Sequence, residues 1–149
     1  AGQLEEENKY LKGKIRNLSE DYAHKTSRQI VDFCKERGIS LLVVPNYKAA
    51  WNRNSYDWLG RRIIQYLRYK VFQEGMVVTS VGVGNTAFVC YQCGQAVKRS
   101  PETPGCGRNY SGWENYICPN GHKGNVHFNA AINLGRRFLK NIKTEKNNG

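Results

Sequence analysis

The sequence lacks several features that each define a class of protein. No apolar run approaches the roughly 20 residues that a helix needs to cross a bilayer, and no secretory segment opens the chain. Acidic residues are few: 12 Asp and Glu stand against 23 Lys and Arg, which leaves a formal net charge of +11 over 149 residues. We therefore expect no membrane partner. The charge favours a polyanion, with nucleic acid as the first candidate and a merely soluble basic protein as the alternative.

Methionine and cysteine are informative through their small numbers. The only methionine is Met76 and the chain begins at Ala1, so we expect a segment or a processed product of a longer protein. Five cysteines cannot all pair within one chain, and without a secretory segment a reducing compartment is favoured over two disulfides plus a free thiol. Cys34 has no neighbouring cysteine and is interpreted as a buried packing residue.

Four cysteines fall in one Gly- and Pro-rich stretch. Cys90 and Cys93 are separated by two residues, a spacing with which two thiolates grip one face of a tetrahedral zinc ion. A second half-site begins at Cys118, but Gly121 stands where a matching cysteine is expected. The fourth ligand is then either the next residue, a histidine, or Cys106, and the spacing favours the histidine. The predicted ligands of a structural zinc ion are Cys90, Cys93, Cys118 and His122.

Hydrophobic periodicity predicts an alternation of helices and strands. The predicted helices are Gln3–Arg37, about Tyr56 to Glu74 and Asn129 to about Ile142, and the predicted strands are Ile39–Val44 and Met76–Val83. Gly38 and Gly75 are expected to end the first two helices, whereas Gly13 and the segment 17–19 could break the first into two. Pro45 and Asn46 should end the first strand, which is expected to be buried on both faces. This order of elements is typical of an α/β layer.

The two later helices are each predicted to bury an apolar face. The inward residues are Trp58, Leu59, Ile63, Ile64, Leu67 and Val71 in the second helix, and Ala130, Ala131, Leu134, Phe138 and Leu139 in the last. The outward residues are Arg61, Arg62, Arg68, Lys70, Arg136, Arg137, Lys140 and Lys143. All of these except Lys70 and Lys143 are candidates for phosphate contacts, with a solvated helix face as the alternative. The Lys- and Asn-rich tail is expected to be disordered.

The order of these pieces resembles the carboxy-terminal half of the RuvC-like nuclease of the TnpB family, which comprises transposon-encoded RNA-guided nucleases and their relatives, the type V CRISPR effectors. The matching pieces are Asp21-Tyr-Ala-His24-Lys25-Thr-Ser27-Arg28, Leu41–Val44, Tyr69-Lys70 before Gly75, Thr86 with Cys90, Cys93 and Gly94, and Gly121-His122 followed by Asn129-Ala130-Ala131. The resemblance implies an α/β, RNase H-like (RuvC-like) partial fold with an inserted zinc ribbon. It divides the chain into a RuvC-like segment 1–85, a ribbon 86–124, and a last helix with a basic tail, 125–149.

The chain departs from this family at the positions of the catalytic carboxylates. Such nucleases cut with carboxylates that hold two metal ions. The resemblance places one of them at Pro45 and another at His127, with Asn125 where a further acid is common, and it places the first aspartate before Ala1. Three other aspartates are interpreted as ordinary helix-surface residues: Asp21, Asp32 and Asp57. The expected catalytic set is therefore empty.

The resemblance implies a nuclease-inactive RuvC-like domain of an RNA-guided DNA-binding protein, in the cytoplasm of a prokaryote and associated with its nucleoid. Its partners would be guide RNA, target DNA, and the remainder of a longer effector chain or a partner subunit. One alternative is an active nuclease that uses magnesium, His127 and an upstream acid, and another is a zinc-ribbon adaptor for a protein partner. The aromatic residues near the ribbon are expected to be mostly core rather than base-stacking platforms. These residues are Phe88, Tyr91, Tyr110, Trp113 and Tyr116.

Overall fold

The computed structural model describes residues 2–46, 58–99 and 114–147, and these form a mixed α/β structure. The helices are α1 (Gly2–Glu36), α2 (Trp58–Gln73) and α3 (Val126–Asn147). The strands are β1 (Leu41–Asn46), β2 (Val77–Gly82), β3 (Lys98–Arg99), β4 (Asn115–Ile117) and β5 (Lys123–Asn125). In these ranges no helix is both long and apolar enough to cross a membrane. Cys106, Asp57, Tyr110, Trp113 and the predicted loop 48–55 lie outside the described residues.

The chain divides into two compact units. The first comprises residues 1–44 and 48–79, and the second comprises residues 45–47 and 80–149. In the first unit the second half of α1 packs against α2. The buried core residues are Val31, Cys34, Val44, Leu67, Val71 and Met76. Cys34 is buried as predicted, and this burial raises the pKa of its thiol, as suits a packing residue.

Glycines end α1 and α2 in the same way, as the sequence predicts. Gly38 has a φ of 64° and Gly75 a φ of 70°, backbone values that residues other than glycine rarely adopt. After α1, the N–H of Gly38 bonds to the carbonyl of Lys35 at 3.0 Å, and the N–H of Ile39 bonds to that of Cys34 at 2.9 Å. The corresponding pair of hydrogen bonds follows α2. Each helix therefore stops in a Schellman motif, which satisfies its last carbonyl groups.

Two predictions about local breaks are wrong. α1 runs unbroken through Gly13 and the segment 17–19, because a glycine costs a helix only about 1 kcal/mol and the Ser19 hydroxyl donates to the Ile15 carbonyl within the helix, at 2.7 Å. β1 continues through Pro45 to Asn46 and is not buried on both faces. Among the described residues its hydrogen-bonded neighbour is β2 alone, and proline is tolerated in a strand with an open edge.

Lys70 was predicted to point outward, and it is instead buried, with 7% of its surface exposed. Its ammonium group donates to the His24 carbonyl at 2.7 Å and to the Ser27 hydroxyl at 2.8 Å, both on α1. Burial lowers the pKa of Lys70, although the two acceptors hold the charged form. A long side chain on an otherwise polar face thus ties α2 to α1, and its spacing alone does not reveal this.

Replacement of this lysine should destabilise the first unit. We expect Lys70→Ala to lower the free energy of unfolding by about 1–3 kcal/mol, because it removes two hydrogen bonds from a charged donor and leaves a space between two helices. Arg68→Ala, an exposed cation on the same helix, is the matched control and should change it by less than about 0.5 kcal/mol. Denaturant titration measures both values, and equal effects would contradict the structural role.

The second unit contains a small antiparallel ribbon and α3. The sheet order is β3-β4-β5, and the Cα atoms of Tyr116 and Gly124 pair across β4 and β5. A Cβ on Gly124 would lie 3.3 Å from a ring carbon of Tyr116, so a larger residue would force the ring to shift by a few tenths of an ångström. Tyr116 is buried, as predicted for most of the ribbon's aromatic residues, whereas Phe88 is exposed.

α3 differs from its prediction at both ends. It begins at Val126 rather than Asn129, because the Asn125 side chain accepts the N–H groups of His127 and Phe128 at 2.8 and 3.2 Å and thereby caps the helix. It continues to Asn147, into the tail that was expected to be disordered. Two residues predicted to face inward are exposed instead: Ala131 and Leu139.

Candidate metal centre

The first half-site, Cys90 with Cys93, lies in a tight loop after β2. The loop is closed by the Cys90 N–H, which donates to the Gln95 carbonyl at 2.8 Å, and by the Gly94 N–H, which donates to the Cys90 carbonyl at 2.9 Å. Gly94 has a φ of 76°, so the chain reverses where a bulkier residue would be strained. The two thiols consequently project from one side of the loop toward the same point.

The second half-site, Cys118 with His122, lies in the hairpin between β4 and β5. The Cys118 N–H donates to the His122 carbonyl at 2.9 Å, and the Gly121 N–H donates to the Cys118 carbonyl at 2.9 Å. Gly121 has a φ of 81°. Gly121, which stands in the place of a fourth cysteine, allows the chain to turn. The side chain of the next residue, His122, is long enough to reach the site.

The four side chains converge as the cysteine spacing predicted. The three Sγ atoms and the His122 nitrogen all lie within 4.8 Å of one another. The Cys93 and Cys118 Sγ atoms are 3.6 Å apart, and the His122 Nδ1 lies 3.7 Å from the Cys90 Sγ and 3.3 Å from that of Cys118. Tetrahedral zinc with ordinary bond lengths requires about 3.8 Å between two sulfurs and about 3.6 Å between sulfur and nitrogen. The donor set therefore fits a tetrahedral metal ion of this size.

The surroundings of the site act in opposite directions on two of its thiols. Burial opposes ionisation of Cys90, but N–H groups of Cys93 and Gln92, together with the neighbouring thiols, outweigh it and lower the pKa of Cys90 to about 7. Burial raises the pKa of Cys118, so a metal ion, which binds the deprotonated form, would have to displace a more tightly held proton there. Burial beside Cys90 also raises the pKa of Tyr116 to about 12, so the phenol adds no competing charge.

The start of α3 holds the first half-site through two asparagines. Asn129 is fully buried; its Oδ1 accepts the Tyr91 N–H at 2.9 Å, and its Nδ2 donates to the Val89 carbonyl at 2.8 Å. One turn later, Asn133 donates from its Nδ2 to the Val89 carbonyl at 2.7 Å and to the Thr86 carbonyl at 2.9 Å. Because Tyr91 stands between the two cysteines of the first half-site, these bonds fix the loop that presents both thiols.

Two arginines extend this contact along α3. Arg136 donates to the Tyr91 carbonyl, and Arg137 donates to the carbonyls of Gly82 and Gly84, the latter at 2.6 Å. We call Asn129, Asn133, Arg136 and Arg137 together the α3 clamp. Both arginines were predicted to contact phosphate, and the structure engages each with backbone carbonyls of its own unit.

The other candidate nucleic-acid residues have unequal surroundings. Arg61, Arg68 and Lys140 are exposed. Arg62 was expected to point outward, but its side chain is only 18% exposed and forms an ion pair with Glu20 at 2.9 Å. A phosphate-binding role for these cations stays a prediction, and the exposed ones have the surroundings that suit it.

The two positions without catalytic carboxylates lie in regular structure. Pro45 lies in β1, and His127 is exposed in the first turn of α3, with its N–H bonded to the Asn125 side chain. Among the described residues, the three cysteines and His122 are the one group of three or more His, Cys, Asp or Glu side chains that could share a metal ion.

Reasoning from the sequence missed the α3 clamp. The sequence indicates the Asn129-Ala130-Ala131 segment only through its resemblance to a family motif, and it predicts no role for Asn133. The available signal was the spacing of two asparagines by four residues at the start of an amphipathic helix. Asparagine is unfavourable inside a helix, so two of them in one helix indicate that their side-chain amides form hydrogen bonds with another part of the chain.

A small ribbon that brings three cysteines and one histidine to one point defines a class of domain that could hold a metal ion. Residues 61–134 match the family model described as the TNB domain of Cas12f1-like proteins. The chain therefore carries a domain related to the TnpB and type V effector proteins, as the sequence resemblance predicted.

A solved structure supports this relationship at the level of the fold. The chain is similar to a protein chain in the cryo-EM structure of a Cas12f1-sgRNA-target DNA complex, with a TM-score of 0.65 and 20% sequence identity. The match covers 88% of this chain and 37% of the other, so this chain spans little more than a third of that protein's length. A search of curated proteins found no match.

Proposed function

We propose that this chain is the nuclease-inactive, RuvC-like part of an RNA-guided DNA-binding protein, which holds guide RNA and target DNA and cuts neither strand. The TNB-domain match over residues 61–134 supports membership of this class. The similar fold of a protein solved with sgRNA and target DNA supports the choice of partners. The mixed α/β structure is compatible with a partial RNase H-like fold into which the ribbon is inserted.

The proposed loss of cleavage is inferred from the side chains at positions 45 and 127. Hydrolysis of a phosphodiester by two metal ions requires several carboxylates, because their charge holds both cations. Proline offers no side-chain ligand at position 45, and an imidazole at position 127 supplies no negative charge and suits softer ions than magnesium. The Asn125 side chain, at a position where the family often has another acid, is occupied in capping α3.

In this proposal the metal of the ribbon is zinc, and its role is structural. Four protein ligands fill a tetrahedral shell and leave no position for water or substrate. The metal fixes the two half-sites, α3 orients the first of them, and exposed cations including Arg61, Arg68 and Lys140 contact phosphate groups. The remainder of a longer effector chain, or a partner subunit, supplies the rest of the complex in a prokaryotic cytoplasm.

Cleavage assays test this function. The full-length protein, loaded with its guide RNA, should bind a matched DNA target and leave both strands whole in magnesium or manganese. Pro45→Glu or His127→Asp alone should not restore cutting, because a two-metal centre fails when one bridging ligand is missing. The double variant Pro45→Glu with His127→Asp restores both charges, and it should recover cleavage provided that the remainder of the longer chain supplies the first aspartate.

Two results would contradict the proposal in different ways. Guide-dependent cutting by the unmodified protein that disappears in His127→Ala would reveal an altered but active nuclease. Failure to bind guide RNA or DNA, together with stable binding to a purified protein partner, would instead favour an adaptor role for the ribbon.

A further inference from the structure

An aromatic pair stands at the surface beside the first half-site. Phe128, in the first turn of α3, is 63% exposed, and its ring centroid lies 6.3 Å from that of Tyr91 in an edge-to-face arrangement, with the ring planes at 87°. Other phenylalanines of the chain are exposed too, and this one is a candidate contact surface because a second ring holds it edge-on.

The pair is fixed by its backbone and by neighbouring side chains. The Phe128 N–H is bonded to the Asn125 side chain within the helix cap, while the Tyr91 N–H is held by Asn129. Arg136 donates to the Tyr91 carbonyl, and its guanidinium lies over the Tyr91 ring at 5.6 Å from the centroid. Because both backbones are anchored, little conformational entropy of the protein is lost when a ligand stacks here, and this favours binding.

The positive charge around the aromatic pair favours an anionic ligand. Residues 80–149 contain nine Lys and Arg and three Asp and Glu, and Arg136 adjoins the pair directly. A flat π-face on an anionic backbone matches both features, because bases stack on aromatic rings while cations attract the phosphates. An uncharged apolar partner would use the rings but gain nothing from this excess of positive charge.

We infer that Phe128, supported edge-on by Tyr91, is a stacking site for an unpaired nucleobase of single-stranded nucleic acid. This inference rests on the proposed function and adds to it a base contact that is distinct from the phosphate contacts. The π-face is common to all four bases, so the site is tolerant of sequence. Paired bases are stacked within their duplex and are not available to it.

The test separates stacking from charge. The full-length protein without guide RNA is titrated with a fluorescent oligothymidine and, separately, with a DNA duplex closed by a hairpin, over a series of salt concentrations. Phe128→Leu keeps an apolar side chain and removes the ring, so affinity for the single strand should fall about 5-fold or more while affinity for the duplex stays within about 2-fold. The slope of log K against log salt should not change, and Phe128→Trp should keep the affinity.

Matched variants provide the controls. Phe72 on α2 is another exposed phenylalanine, at 82%, and Phe72→Leu should leave both affinities unchanged. Lys140→Gln should weaken both probes and reduce the salt slope by roughly 0.7 to 0.9 if this residue contacts phosphate.

The possible failures are distinguishable. If the unmodified protein binds neither probe, the stacking site is wrong, and the proposed function is decided by the binding assay with guide-loaded protein. If it binds and Phe128→Leu behaves like Phe72→Leu, or weakens single strand and duplex equally, the stacking site is wrong and the proposed function stands.

Discussion

Protein purified without chelator should contain about one zinc ion per chain, and removal of that ion should unfold the ribbon while α1 stays packed against α2. The apparent free energy of binding structural zinc in small folds is about 10–16 kcal/mol near neutral pH, and it acts as local folding free energy. All four ligands lie in the second unit, so the loss should be confined to that unit. Elemental analysis gives the stoichiometry, and amide NMR spectra before and after chelation show which residues lose their structure.

Single substitutions assign the ligands of this site. Cys118→Ser should abolish stoichiometric zinc binding, whereas Cys106→Ser should leave the zinc content unchanged, because His122 already supplies the fourth donor atom. Zinc loss in Cys106→Ser would transfer the fourth position to that cysteine. Protein isolated without zinc under these conditions would refute the metal centre altogether.

Asn129→Leu should lower the free energy of unfolding of the second unit by about 2–4 kcal/mol and weaken zinc binding about 10- to 100-fold. The change keeps the branching of a fully buried side chain but adds bulk and removes the acceptor for the Tyr91 N–H, and unsatisfied buried polar groups cost about 1–3 kcal/mol each. Zinc affinity falls because groups that orient a ligand loop contribute to binding in this range. Denaturant titration and competition with a chromophoric chelator measure the two effects separately.

The control for this prediction lies on the same helix. Asn141 is exposed in α3, so Asn141→Leu should change neither the stability nor the zinc affinity appreciably. A variant Asn129→Leu that loses stability but keeps full zinc affinity would show that the asparagine supports α3 without orienting the first half-site.

Features with local causes could be predicted from the sequence. Helices end at Gly38 and Gly75 because glycine allows the positive φ of the Schellman motif, and this depends only on nearby residues. The convergence of the four candidate metal ligands was also predictable, since pairs of soft ligands with short spacing converge once each loop turns back.

Features that depend on distant partners could not be predicted in this way. Lys70 was assigned to the surface from its place in a helical pattern, and the carbonyl and hydroxyl groups that accept its hydrogen bonds lie more than 40 residues earlier in the sequence. The α3 clamp likewise joins residues 38 to 55 positions apart. A hydrogen bond over such a separation needs only one donor residue and one acceptor residue. It therefore produces no repeating pattern in the sequence from which it could be predicted.

The uninterrupted course of α1 has a consequence for how the helix opens. Its second half is secured by the core around Val31, whereas the apolar residues of its first half, including Leu11 and Leu18, remain exposed in the described structure. Helical hydrogen bonds alone stabilise a segment only marginally in water, so the free energy of local opening should decline gradually from Val31 toward Leu4. α1 is therefore one rod in its geometry but not one cooperative unit. Fraying should advance from its amino end, with no abrupt break at Gly13.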